Sequence, residues 1–195
     1  MRISSVDIDQ WADSTHARGQ LPELVRCLIG ATATLTQLAV RGADTSNFSG
    51  WDGMVTATQG NAWVPVGASR WEMGCSQNPL TKARGDFQER TRNTPAPEAA
   101  QLDFVFVTPR IWAGKDAWQE EAEAQGHWRS VRAYDADDLA SWLEAAGAVR
   151  LWFAESLGLS GPGIASVGAA WDTWRKQTRS PITVETLATG RSRAV

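Results

Sequence analysis

One six-residue stretch, Leu102-Asp-Phe-Val-Phe-Val107, constrains this chain more than any other. A strand with one wet face alternates apolar and polar residues. A near-continuous apolar run of this length, stopped by Thr108-Pro109-Arg110, reads instead as a strand covered on both faces. Such a strand needs neighbours in its sheet and helices above and below it. The rest of the chain offers both.

Leu21 to Ile29 has Leu21, Leu24, Val25, Leu28 and Ile29 at helical spacing, with Pro22 near the start where a missing N–H costs nothing. Leu35 to Val40 is a short apolar segment with a strand-like tail. A turn-rich loop from Arg41 to Gly50 follows. Met54 to Thr58 alternates as a strand, Gln59-Gly-Asn61 offers a turn, and Arg70 to Gly74 returns as a second strand. Asn78-Pro79 opens a basic helix reaching about Arg92, ended by Asn93-Thr-Pro-Ala-Pro97. Beyond the 102–107 strand, a helix over 113–125, a strand over 130–134 and helices over 135–146 and 149–157 are expected.

The order describes a mixed α/β domain: an antiparallel meander extended by strands through helical crossovers. Gly158 to Gly163 reads as a joint, followed by a helix over 164–177 and an unfinished tail. The expected division is therefore a domain over 1–158, then a helical linker and the start of a following domain over 159–195.

Bulk properties narrow the function class. The 195 residues carry a net charge of -3, which argues against a dedicated nucleic-acid coat protein but not against an enzyme acting on nucleic acid. No apolar run approaches the ~20 residues that span a bilayer, and the N-terminus lacks a signal-peptide core. With only Cys27 and Cys75 and no metal-ligand spacing at either, the expectation is a cytoplasmic protein without a membrane partner or a structural zinc. His16 and His127 accompany no nucleophile motif.

The chemistry concentrates in the meander. Asp52 opens one strand just after a Gly-Trp turn, and Glu72 lies in the next strand. If the two strands pair as a hairpin, both carboxylates reach the same end. Hard oxygen ligands in that arrangement suit Mg²⁺ or Mn²⁺, which could activate water and neutralise a phosphodiester. Lys82, at the start of the basic helix, is positioned to orient a nucleophile or stabilise a phosphate in its transition state. Arg84, Gln88 and Arg90 follow on the same helix as candidate substrate-binding groups, and Glu23 could add a ligand from the first helix. Each has a plainer alternative: Asp52 as a turn aspartate, Glu72 facing outward, and the basic residues as a solvated helix face.

Asp52, Glu72, Lys82 and the helix-strand-strand-strand-helix-strand order around them resemble the PD-(D/E)XK restriction-endonuclease-like superfamily, over roughly residues 20 to 135. The blocks 50–53, 64–74, 82–91 and 106–112 look like the N-terminal effector domain of STAND-type, NLR-like bacterial antiphage NTPases. The resemblance implies a restriction-endonuclease-like mixed sheet and a Mg²⁺- or Mn²⁺-dependent endonuclease acting on DNA. It further implies a following NTPase domain and activity as a homo-oligomer. In that superfamily a lysine usually stands two residues after the strand carboxylate. Gly74 stands there in this chain, so the resemblance assigns the amine to Lys82. The other reading keeps the fold without catalysis, as a nucleic-acid-binding or protein-interaction module.

Eleven tryptophans accompany a single tyrosine. Most fall on apolar helical faces, as Trp142 does, and belong to packing. Trp51 and Trp71 each immediately precede a candidate carboxylate and are expected to brace it.

Overall fold

A computed structural model describes residues 2–41 and 50–159, together with Trp171 and Trp174. The helix expected over 164–177 and the loop over 42–49 lie outside the described residues, apart from those two tryptophans, whose rings lie 5.3 Å apart.

Five strands form one mixed sheet in sequence order. β1 (Thr34–Val40), β2 (Gly53–Gln59) and β3 (Gly67–Met73) are an antiparallel meander. β4 (Asp103–Val107) and β5 (Ser130–Tyr134) then add in parallel. Antiparallel neighbours need only a turn, whereas each parallel step needs a crossover. The crossovers are α3 (Pro79–Asn93) with the single turn α4 (Ala96–Ala99), and then α5 (Lys115–Glu123). Every residue of β4 is buried, as its apolar run requires.

Alternation along β4 divides the interior into two cores. Val105 and Val107 face one side, Phe104 and Phe106 the other. The first side is covered by α1 (Ser5–Trp11), α2 (Ala17–Thr32), α6 (Ala136–Ala145) and α7 (Gly147–Ser156). The second is covered by α3, α4 and α5. This gives a three-layer α/β arrangement. Among the described residues, no helix is long and apolar enough to cross a membrane.

Three local features depart from the expected elements. α1 is a short additional helix, held by a reciprocal capping box between Ser4 and Asp7. α4 is another, a single turn between α3 and β4. Pro22 sits inside α2 and not near its start. A proline there forgoes one backbone bond to the preceding turn, and burial of Ala17 and Leu21 keeps that turn helical nonetheless. Asp135 caps α6 and forms a capping box with Asp138.

Arg110, just past β4, ties α1 to the sheet. Its guanidinium donates to the carbonyls of Cys75, Asp9 and Ala12 and pairs with Asp13 at 2.7 Å. The tryptophans fill the layers between elements. Trp142, 0% exposed, stacks on Trp63 with centroids 5.6 Å apart and donates its indole N–H to the Thr32 hydroxyl at 2.9 Å. Trp142→Ala is expected to cost about 4 kcal/mol, in the range of a large buried aromatic removed from a packed core. Urea unfolding should show that loss, with a markedly smaller one for Trp142→Phe.

Candidate functional site

The register of the meander brings the two candidate carboxylates to one end of the sheet. Gly53 pairs with Trp71, so Asp52, the residue before β2, comes level with Glu72. Asp52 is fixed twice: its carboxylate accepts the Met73 N–H at 2.8 Å, and its carbonyl accepts the Arg41 N–H at 2.9 Å. A turn aspartate serving only its own loop would not reach β3. Alternation along β3 sends Trp71 into the first core and Glu72 to the opposite face, under α3.

Glu72 is therefore an inward-facing carboxylate, 4% exposed. A buried charge of this kind requires a partner, and α3 supplies it. Arg90 donates from Nε to Glu72 Oε1 at 2.5 Å and from Nη2 to the Gly50 carbonyl at 2.6 Å. The same guanidinium lies over the Trp51 ring, 4.9 Å from its centroid. Trp51 in turn packs edge-on against Phe104 and Trp128. Trp51 thus braces the site from the α3 side of the sheet and Trp71 from behind it.

Burial pushes the Glu72 carboxyl up to about 8; the Arg90 hydrogen bond opposes this, and the negative charges of Asp52 and Asp86 reinforce it. Asp86 is also raised, again mainly by burial, with Lys82 opposing and Asp52 reinforcing. These mutual effects mark Asp52, Glu72 and Asp86 as one electrostatic cluster.

Lys82, Asp86 and Arg90 recur every fourth residue and share one stripe of α3. Lys82 Nζ donates to Asp86 Oδ1 at 2.7 Å. The other oxygen, Oδ2, is the one buried side-chain polar atom without a partner among the described residues. Asp86 was not among the candidates drawn from sequence. The readable signal was its spacing, an acid midway between two cations on a single helical stripe. The Lys82 stem passes over the end of β3: a Cβ built on Gly74 would lie 2.8 Å from Lys82 Cγ and 3.1 Å from Cε.

The other candidates lie elsewhere. Arg84 and Gln88 are about 200° around the helix from Lys82 and Asp86 respectively, at ~100° per residue. Both are exposed; Arg84 pairs with Glu121 of α5 at 2.8 Å. Grouping them with Arg90 as one substrate-binding set is not what α3 does, because its stripes diverge. Arg90 itself is spent on Glu72 and does not stand open to solvent as a phosphate contact. Glu23 is exposed on α2, beside Arg26 at 3.9 Å, and α2 covers the opposite side of the sheet from α3.

Carboxylate oxygens are the right donors for Mg²⁺ or Mn²⁺, and the unpartnered Asp86 Oδ2 is a donor of that type. Asp52 and Glu72 match such an ion in donor type. In the described arrangement Arg90 and Lys82 supply the counter-charge. Among the described residues, no group of three His, Cys, Asp or Glu side chains is arranged to hold a metal ion. Comparison with protein-family models, with curated proteins and with solved structures finds no match.

The electrostatics give two expectations. Because the folded-state pKa of Glu72 is raised from 4.5 to about 8, the folded state holds a proton there that the unfolded chain releases first. Stability contributed by that proton is complete below pH 4.5 and is lost as pH rises through about 8. Unfolding midpoints should fall across this window, and Glu72→Gln should flatten the slope. Arg90→Ala, which strands the carboxylate, should cost about 3 kcal/mol at pH 9 and less at pH 5, measured by denaturant unfolding at each pH.

Proposed function

We propose that this chain is a divalent-cation-dependent phosphodiesterase domain of the restriction-endonuclease-like class, cutting DNA. The observation that carries the reading is the convergence of Asp52 and Glu72 at one end of the β2–β3 hairpin, beneath a helix presenting Lys82. The run α2-β1-β2-β3-α3-β4 supports the fold assignment, since it has the order that the resemblance implies.

In this reading Asp52 and Glu72 would hold Mg²⁺ or Mn²⁺. When bound, the ion supplies charge neutralisation at the phosphodiester and lowers the pKa of water. The chain's own groups do the rest. Asp52 stays in place because β3 donates to it. Glu72 is ionised in the bound state, giving up the proton that burial favours. The Lys82 ammonium donates to a phosphate oxygen and stabilises the charge that builds there in the transition state. Arg90 leaves Glu72 and becomes available to the phosphate backbone.

Action on DNA, a cytoplasmic setting, service as the effector of a larger antiviral NTPase, and activity as a homo-oligomer belong to the same proposal. They rest on the resemblance in the blocks 50–53, 64–74, 82–91 and 106–112.

One observation favours a second reading. Arg90 closes on Glu72 and balances it internally, as in a domain that keeps the fold but binds nucleic acid or protein without cutting. Calorimetric titration separates the two: Mn²⁺ binding that disappears in Glu72→Gln supports the catalytic reading, and no Glu72-dependent binding supports the other.

The direct test is supercoiled plasmid incubated with the chain and Mg²⁺ or Mn²⁺, with and without dimerisation forced by a fused coiled coil. Nicking is expected, with Asp52→Ala and Glu72→Gln reducing the rate by about 10³-fold, the scale of losing a principal transition-state charge stabiliser. Equal nicking by Asp52→Ala would sink the assignment.

A further inference from the structure

The α3 side of the sheet is only partly covered. Alternation along β2 turns Val55 and Ala57 into the first core and Met54 and Thr56 to the other face. By register, Gln37 and Ala39 of β1 and Arg70 of β3 share the face of Met54 and Thr56. Among the described residues, the core under α3 takes Ala68 from β3 and nothing from β1 or β2. Gln37 and Ala39 are exposed, and Met54, Thr56 and Arg70 are half-buried. A shelf made of β1, β2 and the start of β3 therefore lies open beside α3. It leads into the candidate site, because Arg70 stands two residues before Glu72 on the same face, ~7 Å back along the strand.

The chemistry of the shelf selects its occupant. Neither β1 nor β2 holds a charged or an aromatic residue, and the one aromatic residue of β3, Trp71, points into the first core. A protein partner would find no aromatic anchor here, and unstacked bases would find no ring to lie on. What the shelf offers is hydrogen-bond donors. The Arg70 guanidinium donates to the Ser69 carbonyl at 3.3 Å and has no carboxylate partner among the described residues, so most of its N–H fork is free. The Thr56 hydroxyl donates to Gln37 Oε1 at 3.2 Å. That bond fixes the Gln37 amide and leaves its nitrogen, a donor only, at the exposed surface. At the site end the exposed Arg41 adds a second guanidinium, whose Nη1 lies 3.1 Å from where a Cβ on Gly50 would stand. In a chain of net charge -3, cations with amide and hydroxyl groups and no acid on β1 or β2 make a local surface complementary to phosphate.

We propose that this shelf holds the sugar-phosphate backbone of duplex DNA, with Arg70 and Gln37 donating to phosphate oxygens, and that it does so without regard to base sequence. A duplex turns its phosphates outward and its bases inward, which matches a surface rich in donors and empty of rings. The proposal rests on the nuclease reading, since the shelf carries the strand toward Asp52 and Glu72. Arg70 and Gln37 are binding residues and take no part in the chemistry.

Binding is measured apart from cleavage, by fluorescence anisotropy of a labelled duplex mixed with the full chain in EDTA. Arg70→Ala should weaken binding about tenfold, the scale of one charge-assisted hydrogen bond. The loss should be the same for duplexes of unrelated sequence, and the slope of log affinity against log salt should fall by about 1. Gln37→Glu is nearly isosteric, keeps an acceptor for Thr56 and sits on an exposed strand, yet sets a negative charge against the phosphates. It should also lose about tenfold. Arg150→Ala on α7, across the sheet, removes the same charge and should stay within about twofold of the native chain. Thermal unfolding identifies the folded variants.

Unchanged affinity in folded Arg70→Ala and Gln37→Glu overturns the shelf, whether or not the chain nicks plasmid, and so does a native chain that binds no duplex at low salt. A single strand bound as tightly as the duplex, with the same dependence on Arg70, overturns the choice of duplex. If Gln37→Glu converts a dimer to a monomer in sedimentation while duplex affinity holds, the face belongs to a second copy and the proposal is overturned. Both variants losing affinity while the native chain nicks nothing upholds the shelf and overturns the nuclease reading alone.

Discussion

The buried carboxylate of Glu72 is the point on which the rest of this architecture turns. A charge at the covered end of a central strand is expensive, and leaving it unpaired would cost several kcal/mol. The fold meets that cost by bringing Arg90 down from α3 and holding the guanidinium on three sides. Glu72 takes Nε, the Gly50 carbonyl takes Nη2, and the Trp51 ring lies beneath. The pair also fixes where α3 lies over the sheet, and therefore where Lys82 and Asp86 stand.

The two faces of the sheet have different tasks. The face under α2, α6 and α7 is apolar and aromatic, with Trp71, Trp142 and Tyr134 packed together. It holds the meander rigid from behind. The face under α3 combines Phe104 and Phe106 with the acidic cluster at its edge. Placing the charged groups at the ends of strands, on a scaffold set by the opposite core, is how a site achieves fixed geometry without sacrificing the core.

Much of this was readable from sequence because it follows from local periodicity. The 102–107 run fixed an interior strand, and the alternation over 54–58 and 70–74 made a hairpin that sets Asp52 level with Glu72. The basic helix after Asn78-Pro79 was equally plain. What could not be read depends on rotation about elements. Nothing in a one-dimensional pattern says that the 82/86/90 stripe of α3 faces the carboxylates while 84 and 88 face α5. Glu23 looked available because its helix was correctly found, but its side of the sheet was set by the tertiary arrangement. Asp86 was hidden between Lys82 and Arg90, two residues that drew attention as cations. The short α1 rests on one capping box and the burial of Ile8 and Trp11, too brief for periodicity to show. Pro22 pointed to a helix start because proline favours that position, and packing of the preceding turn overrode the preference.

The central claim is that Asp52 and Glu72 form a divalent-cation site from which Arg90 is displaced. A crystal of the chain soaked in Mn²⁺ and measured at the manganese absorption edge tests this most directly. The expected result is an anomalous peak within coordination distance of both carboxylates, with the Arg90 guanidinium moved off Glu72. Saturating Mn²⁺ that leaves the Arg90–Glu72 pair closed, with no peak beside Asp52, would contradict it.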